Sequence, residues 1–345
     1  MVSSKSFTMK GLVVVVSILS MLALPLASLA GSLTVTFLDV GQGDCALLQC
    51  DGETMLIDAG TNAGANALLQ SLRDYGVTSF DIVVGTHPHE DHIGGLDTVI
   101  SAFDVSSVWM PRVQHDTKTF EDVLIAIRDK GLTITAPTVG ETHMLGDATI
   151  TILGPLGGNY SDLNNYSIVL RVDHGSNGFL FAGDAESINE NELIAVEANL
   201  EAAVLKVGHH GSDTSSAAPF LNLVKPLYAV ISSAANNSYG HPHAEVVQRL
   251  LSLNALVLQT AETGDIVFES DGTSLTLISG STYSIDTDNT IVNQDISSTY
   301  IGNKNSKIFH LPGCRTLPAP HNQVELNNRN DAITMGYRAC QNCKP

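Results

Sequence analysis

Hydrophobic and polar positions change period several times along the chain. Residues 32–60 hold three short β-rich runs, LTVTFLDV, CALLQC and TMLIDAG, broken at GQGD and at Asp51-Gly52. That is the pattern of an antiparallel meander. From 66 to 76, NALLQSLRDYG takes the helical period and stops at Gly76. FDIVVGT (80–86) is a continuous apolar run and predicts a buried strand. GLDTVISAF (95–103) predicts a helix, VSSVWMP a strand, and TFEDVLIAIRDKG (119–131) an amphipathic helix closed by Gly131. The second half returns to this alternation. ATITILGP, YSIVLRVDH and GFLFAGD predict consecutive strands, ESINENELIAVEA a helix, and AAVLKVGHHGS a strand running into a His-rich loop. PLYAVISS predicts a strand, AEVVQRLLSL a helix, and DIVFESDGTSLTLIS a hairpin turning at Asp271-Gly272. Two β-rich halves, each with helices between strands, predict an α/β (α+β) fold. Its two sheets pack face to face with helices outside, an αββα sandwich over residues 31–282. STYSIDTDNTIVNQDIS has neither period, and 283–297 is expected as a linker. Residues 298–345 form a module small enough to need a metal or disulfides.

Residues 1–30 stand apart from this pattern. Lys5 and Lys10 precede an apolar run, Gly11 to Leu26, and Ser28-Leu29-Ala30 offers small residues at a cleavage site. This is the layout of a secretory signal peptide. The run is shorter than the roughly 20 residues that span a bilayer. An exported chain starting at Gly31 is expected, with an uncleaved N-terminal anchor as the alternative. No later segment is long and apolar enough to span. The formal net charge of −19 argues against a simple basic nucleic-acid binder. A polyanionic substrate would have to be met locally, by metal ions or a few Lys and Arg. The five cysteines suit a disulfide framework poorly, being odd in number. Cys45 and Cys50, in one strand and five positions apart, should face opposite sides as buried free thiols. A monomer is expected.

Chemistry concentrates in THPHEDHIGG (86–95), where His87, His89, Asp91 and His92 follow a buried strand. A loop leaving a strand end can turn alternate side chains to one point. His87 and His89 could share one metal, Asp91 and His92 a second. Imidazole and carboxylate ligands suit Zn, Mn or Fe. Two ions about 3.5–4 Å apart can hold a bridging hydroxide as nucleophile. Asp184, at a strand end in FLFAGDAE, is the candidate bridging carboxylate. His209, with His210 beside it in LKVGHHGS, ends another strand and completes the set. Asp58 in LIDAG either orients an imidazole from behind or merely forms a turn. His241 and His243, in YGHPH, are candidates for contacting a phosphate or protonating a leaving group, or are satisfied within a loop. Lys206 could be a cation at the site or snorkel from its strand. Asp91, His241 and Lys206 are the residues expected to act in the reaction itself. In the C-terminal module, His310-x3-Cys314 and Cys340-x2-Cys343 have the spacing of a closed, structural Cys3His zinc site.

HxHxDH, the later Gly-Asp and the strand-end His resemble the metallo-β-lactamase superfamily over roughly residues 32–280. More narrowly, LDVGQGD (38–44), LIDAG (56–60), THPHEDHIGG, NNYSIVLR (164–171), LFAGDA (180–185), LKVGHHGS (205–212) and NSYGHPH (237–243) resemble the hydrolase domain of ComEC-type competence proteins. That resemblance implies two divalent ions, Zn or Mn, and hydrolysis of phosphodiesters in DNA or another extracellular nucleic acid. It places Gln42 and Asp44 near the site, with His210, Ser212, Asn237 and His243 either behind the metal ligands or beside the substrate. Full-length ComEC carries a membrane channel not found here, so a secreted, stand-alone relative is expected. One departure concerns the first metal. The superfamily supplies a third His between the His cluster and the bridging Asp, where this chain has NNYS, offering Asn164, Asn165 or Ser167. Asn165 is the candidate weak ligand, and amide oxygens are harder than imidazole, so a weaker first site open to Mn is expected. Residues 299–345 resemble the metal-binding domain of the Ada DNA-repair protein. There the first ligand is a Cys that accepts methyl groups from DNA. His310 takes its place here, and an imidazole is a poor acceptor, so repair chemistry is not expected. A DNA contact through Lys304, Lys307, Arg315 and Arg338, or a plain stabilising cap, both remain open. The alternatives to a nuclease are a phosphorylcholine esterase acting on cell-wall teichoic acid, a lactamase or lactonase, and a non-catalytic zinc-stabilised DNA-binding protein.

Overall fold

The computed structural model describes residues 31–285, 291–295, 300–310, 314–326, 332 and 335–340. The expected signal peptide and Cys343 lie outside the described residues. Two large sheets face each other, as the αββα pattern predicts. The first has eight strands, in the order 275–279, 266–270, 33–37, 46–50, 53–57, 79–84, 104–109 and 134–135. Its first half is the antiparallel meander, and from Glu53–Ile57 onward the strands run parallel. The second has nine, in the order 291–295, 281–285, 256–259, 228–231, 204–206, 177–181, 169–174, 148–154 and 142–145. Its centre is parallel and its two edges antiparallel.

The period-two strands explain the layering. In Ala46–Cys50, Ala46, Leu48 and Cys50 join the core between the sheets, with Phe37, Ile152, Phe179 and Phe181. Leu47 and Cys45 face the other way, under the helices Ala65–Asp74, Leu96–Ala102 and Lys118–Asp129. The two thiols are free, buried and on opposite faces, as the strand period requires. Helices Ser187–Ala195, Ala218–Val224 and Ala244–Ser252 cover the outside of the second sheet through Leu193, Leu221, Val246 and Leu250. Burying whole apolar faces on both sides of each sheet is the main force holding the sandwich together.

The expected linker 283–297 is in part strand. Ser281–Ile285 and Ile291–Asp295 pair antiparallel with each other, and the first pairs with Leu256–Gln259. The open edge of that strand offers backbone donors and acceptors, which a polar segment can meet without an apolar period. Helix Ala218–Val224 and strands Ile134–Thr135, Thr142–Leu145 and Leu256–Gln259 were not legible in the pattern either. No helix among the described residues is long and apolar enough to cross a membrane. A third, four-stranded sheet, ordered 323–326, 300–303, 308–310 and 338–339, has its own small core of Tyr300, Phe309, Leu326, Ala332 and Tyr337.

What positions the chemistry is the direction of the parallel strands. Strands ending at Ile57, Val84, Phe181, Lys206 and Ile231 release loops that carry Asp58, His87–His92, Asp184, His209–His210 and Ser232–His243. Those loops meet in space.

Candidate metal centre

Asp58 stands where strand Glu53–Ile57 ends, with a left-handed φ of 61°. Its Oδ1 accepts the Thr86 N–H at 2.7 Å, and its Oδ2 accepts the Thr86 hydroxyl at 2.7 Å. The same Oδ2 lies 2.7 Å from His92 Nδ1. Of the two roles left open by the sequence, the carboxylate that fixes an imidazole from behind is the one found. The GQGD turn packs directly onto the histidine loop. Asp44 N–H donates to the Asp91 carbonyl at 3.1 Å, and a Cβ at Gly43 would stand 2.1 Å from that oxygen, so only glycine fits.

Asp44, His92, Asp184 and His210, all buried, each bring a ligand atom within 4.8 Å of the others. Asp91 joins from the histidine loop. His210 Nε2 lies 3.3 Å from His92 Nε2, 3.3 Å from Asp91 Oδ2 and 3.4 Å from Asp184 Oδ2. His92 Nε2 is 3.1 Å from Asp184 Oδ2. Ligands at tetrahedral zinc distances stand about 3.3 Å apart, so these spacings fit an ion. Asp184 Oδ1 is buried with no hydrogen-bond partner, a further sign that a cation belongs here. Asp44 reaches the group from behind. Its Oδ1 is 3.2 Å from His210 Nδ1, and its Oδ2 is 2.6 Å from Lys206 Nζ.

A second set shares the same carboxylate oxygen. His87 Nε2 is 3.7 Å and His209 Nε2 3.8 Å from Asp184 Oδ2, and His87 Nε2 is 3.0 Å from His89 Nδ1. Ser167 Oγ lies 3.2 Å from His87 Nδ1 and accepts the Asp184 N–H at 3.0 Å, tying both to the NNYS segment. Of that segment's amides, Asn164 is beside His209, at 3.4 Å, with its own Oδ1 buried and unpartnered. Asn165 Nδ2 donates to Glu186 at 2.9 Å, and its Oδ1 is likewise buried without a hydrogen-bond partner. His209 and His210 both adopt left-handed backbone, φ 48° and 53°, which turns adjacent rings to the two sets. Backbone held in that region by non-glycine residues gathers at functional sites. His209 therefore reaches the second set from beyond Asp184 in sequence.

The charges are matched inside the cluster. Burial opposes charging His92 and His210, yet Asp184 with Asp58, and Asp184 with Asp44, hold both imidazoles well above their ordinary range. Burial would raise Asp184, but His210 and His92 outweigh it and hold the carboxyl well below its usual range. Four buried or half-buried carboxylates, at positions 44, 58, 91 and 184, meet one ammonium, Lys206. Such an acidic centre suits divalent cations, which would take the place of the imidazole protons.

Several expected residues have other positions. Lys206 is 4 % exposed and paired with Asp44, so it holds Asp44 in place and does not face a substrate. His241 lies 5.5 Å from His209 and 6.2 Å from His210, ring to ring. Burial first, then His209, His210 and His243, push it down to about 4. That shift favours the uncharged ring, which can donate an N–H bond to a phosphate oxygen, one of the two roles expected of it. His243 accepts the Asp213 N–H at 2.9 Å and anchors that loop. Asn237 braces its own loop, accepting the Tyr239 and His241 N–H groups at 3.1 and 2.9 Å. Gln42 Oε1 accepts the Ala234 N–H at 3.3 Å, and Ser212 bonds Thr214 at 3.1 Å. Thr86, Tyr239 and Thr214 were not singled out by the sequence, since their partners lie far away or their type carries no metal chemistry. On the His89 side, His115 stands 5.9 Å away and helps to line a cavity of about 940 Å³.

In the small module, His310 Nδ1 is 3.4 Å from Cys314 Sγ, which is 3.9 Å from Cys340 Sγ. Thiolates about 2.3 Å from a tetrahedral zinc would stand about 3.8 Å apart. The three described ligands fit zinc.

Residues 38–234 match the metallo-beta-lactamase superfamily. The chain belongs to that superfamily. Residues 290–345 match the metal binding domain of Ada. ComE operon protein 3 of Bacillus subtilis is 31% identical over 252 residues, covering 68% of this chain and 32% of that protein. Recombination protein 2 of Haemophilus influenzae is 31% identical over 237 residues, covering 67% of this chain and 28% of the relative. The chain spans about a third of the length of these relatives. The metallo-beta-lactamase fold protein YhfI of Bacillus subtilis aligns over 70% of this chain and 100% of its own, with 14% identity and a TM-score of 0.48. The metallo-β-lactamase unit and the Ada-like module together account for the fold and both ligand clusters.

Proposed function

We propose that the protein is an exported, metal-dependent phosphodiesterase acting as a monomer on DNA or another extracellular nucleic acid, with its hydrolase unit in 31–282 and a structural zinc module from 298. One observation carries this reading. A single oxygen, Asp184 Oδ2, lies 3.1–3.8 Å from nitrogens of His92, His210, His87 and His209, the layout of two cation sites sharing one carboxylate. Divalent ions there, zinc or manganese, would supply Lewis acidity toward phosphoryl oxygens and lower the pKa of a water.

The chain's own residues do the rest. Asp58 holds His92 Nδ1, and the Ser232 carbonyl, 2.9 Å from His210 Nδ1, holds His210 with Asp44 Oδ1 beside it at 3.2 Å, so that both rings aim Nε2 at the centre. Ser167 fixes Asp184 and His87 together. His241 offers its ring N–H toward an oxygen of the substrate. The −19 charge leaves the phosphate to be met inside the site by the bound cations, since the surface has few Lys and Arg to spare. The name of the recombination protein among the relatives supports a nucleic-acid substrate.

The test uses purified protein with labelled single- and double-stranded DNA in Mn, Zn or EDTA, beside the Asp91→Ala, His92→Ala double variant. Metal-dependent cleavage lost in the variant is the expected result. A folded, metal-loaded protein that cleaves neither DNA with any metal overturns the reading, and hydrolysis of phosphorylcholine esters by that protein would redirect it to wall polymers.

A further inference from the structure

The loop carrying His241 also carries an aromatic ring with no part in the metal sets. Tyr239 is 64% exposed. Its ring lies parallel to that of His241, at 5.6 Å and 21°. His241 in turn stacks toward His210, at 6.2 Å and 27°, and stands 5.5 Å from His209. A series of rings therefore runs from the imidazoles beside Asp184 out to Tyr239, two ring-to-ring steps away. The series is held in place. Asn237 Oδ1 accepts the N–H of Tyr239 and of His241, and Asn237 Nδ2 donates to the Ala234 carbonyl at 2.8 Å. A lone exposed aromatic needs no explanation, but one stacked, braced and aimed at a phosphoryl-transfer centre is a preformed shelf.

We infer that the outer face of Tyr239 stacks a nucleobase of the nucleotide next to the phosphate held at Asp184. This rests on the phosphodiesterase reading and names its substrate class, nucleic acid with an accessible, unpaired base. Stacking suits this chain for a physical reason. With 17 Lys and Arg against 36 Asp and Glu, electrostatic attraction to a phosphate backbone is weak over most of the surface. Base–aromatic stacking needs no charge and tolerates any base.

The experiment pairs two readouts on wild type, Tyr239→Ala and Tyr239→Phe. The first is binding of fluorescein-labelled, cleavage-resistant phosphorothioate octathymidylate, and of an abasic phosphorothioate oligomer of equal length, to the metal-loaded protein by anisotropy. The second is manganese-dependent hydrolysis of methyl p-nitrophenyl phosphate, which has no base. Tyr239→Ala should weaken octathymidylate binding roughly 5- to 100-fold, Tyr239→Phe should stay within about twofold of wild type because its ring stacks equally, and all three should bind the abasic oligomer alike. Unchanged octathymidylate binding in Tyr239→Ala, or equal loss on the abasic oligomer, overturns the shelf while leaving the phosphodiesterase standing. Displacement of octathymidylate by phosphorylcholine from wild type but not from Tyr239→Ala also overturns it, assigning the ring to a quaternary ammonium. Wild type that hydrolyses no phosphodiester defeats the underlying reading instead.

Discussion

Asp58→Asn should uncouple His92 from its metal while leaving the fold intact. The substitution is nearly isosteric, and asparagine tolerates the left-handed φ of 61° that an alanine would not. The native carboxylate makes three contacts at 2.7 Å: Thr86 N–H, the Thr86 hydroxyl and His92 Nδ1. An amide can keep its oxygen on the Thr86 N–H, which cannot rotate. Its NH2 then faces the hydroxyl and His92 Nδ1. The hydroxyl can turn to accept. His92 Nδ1 must accept as well, and the ring proton moves to Nε2, the atom 3.1 Å from Asp184 Oδ2. A protonated Nε2 has no lone pair for a cation. Loss of such a partner typically costs 10–100-fold in metal affinity, about 1.4–2.7 kcal/mol. Competition with a chromophoric chelator at pH 7.5 would read the affinity, and thermal unfolding in EDTA would check the fold. Affinity within about twofold of wild type, in a folded variant, would refute the tautomer argument.

Further outcomes follow from other buried groups. Lys206→Met leaves Asp44 buried without its ammonium and should cost about 3–5 kcal/mol in urea unfolding; a loss under about 1 kcal/mol would mean that the 2.6 Å pair does not hold Asp44. Burial pushes Glu190 from its ordinary 4.5 up to about 7, against the backbone N–H groups of Ala217 and Ser216 and the charge of Arg249. The folded protein therefore holds that proton more tightly than the unfolded chain, so the contribution is complete below 4.5 and disappears as pH rises through 7. Wild type minus Glu190→Gln should lose up to about 3 kcal/mol of unfolding free energy across that window, and a pH-independent difference would contradict it. His310→Ala should release one zinc, read by elemental analysis, without lowering the metal content of the hydrolase unit; unchanged zinc would remove His310 from the ligand set.

How far the sequence reaches depends on how local each feature is. His87, His89, Asp91 and His92 are legible because one loop carries them all, and the strand before it reads as buried from its apolar run. The αββα layering is legible because strands that are apolar on both faces need cover on both, which a second sheet and the intervening helices supply. The roles of His209 and His210 are not, because adjacent positions look interchangeable until the backbone shows both in left-handed conformation. Asp44 and Lys206 lie 162 positions apart and meet only through sheet packing, so nothing local tells a buried ion pair from a substrate-facing lysine. The strands at 281–285 and 291–295 carry no apolar period and are set by the edge they extend.

The central claim is that Asp184 is shared by two cations in one hydrolytic site. The most direct measurement is metal content, by native mass spectrometry, of wild type and Asp184→Asn after loading and desalting, with methyl p-nitrophenyl phosphate hydrolysis on the same samples. Two hydrolase-unit ions in wild type, both lost or weakened with hydrolysis in Asp184→Asn while the zinc of the small module stays, is the predicted result. Retention of both ions by Asp184→Asn, or hydrolysis undiminished by their loss, would contradict the account.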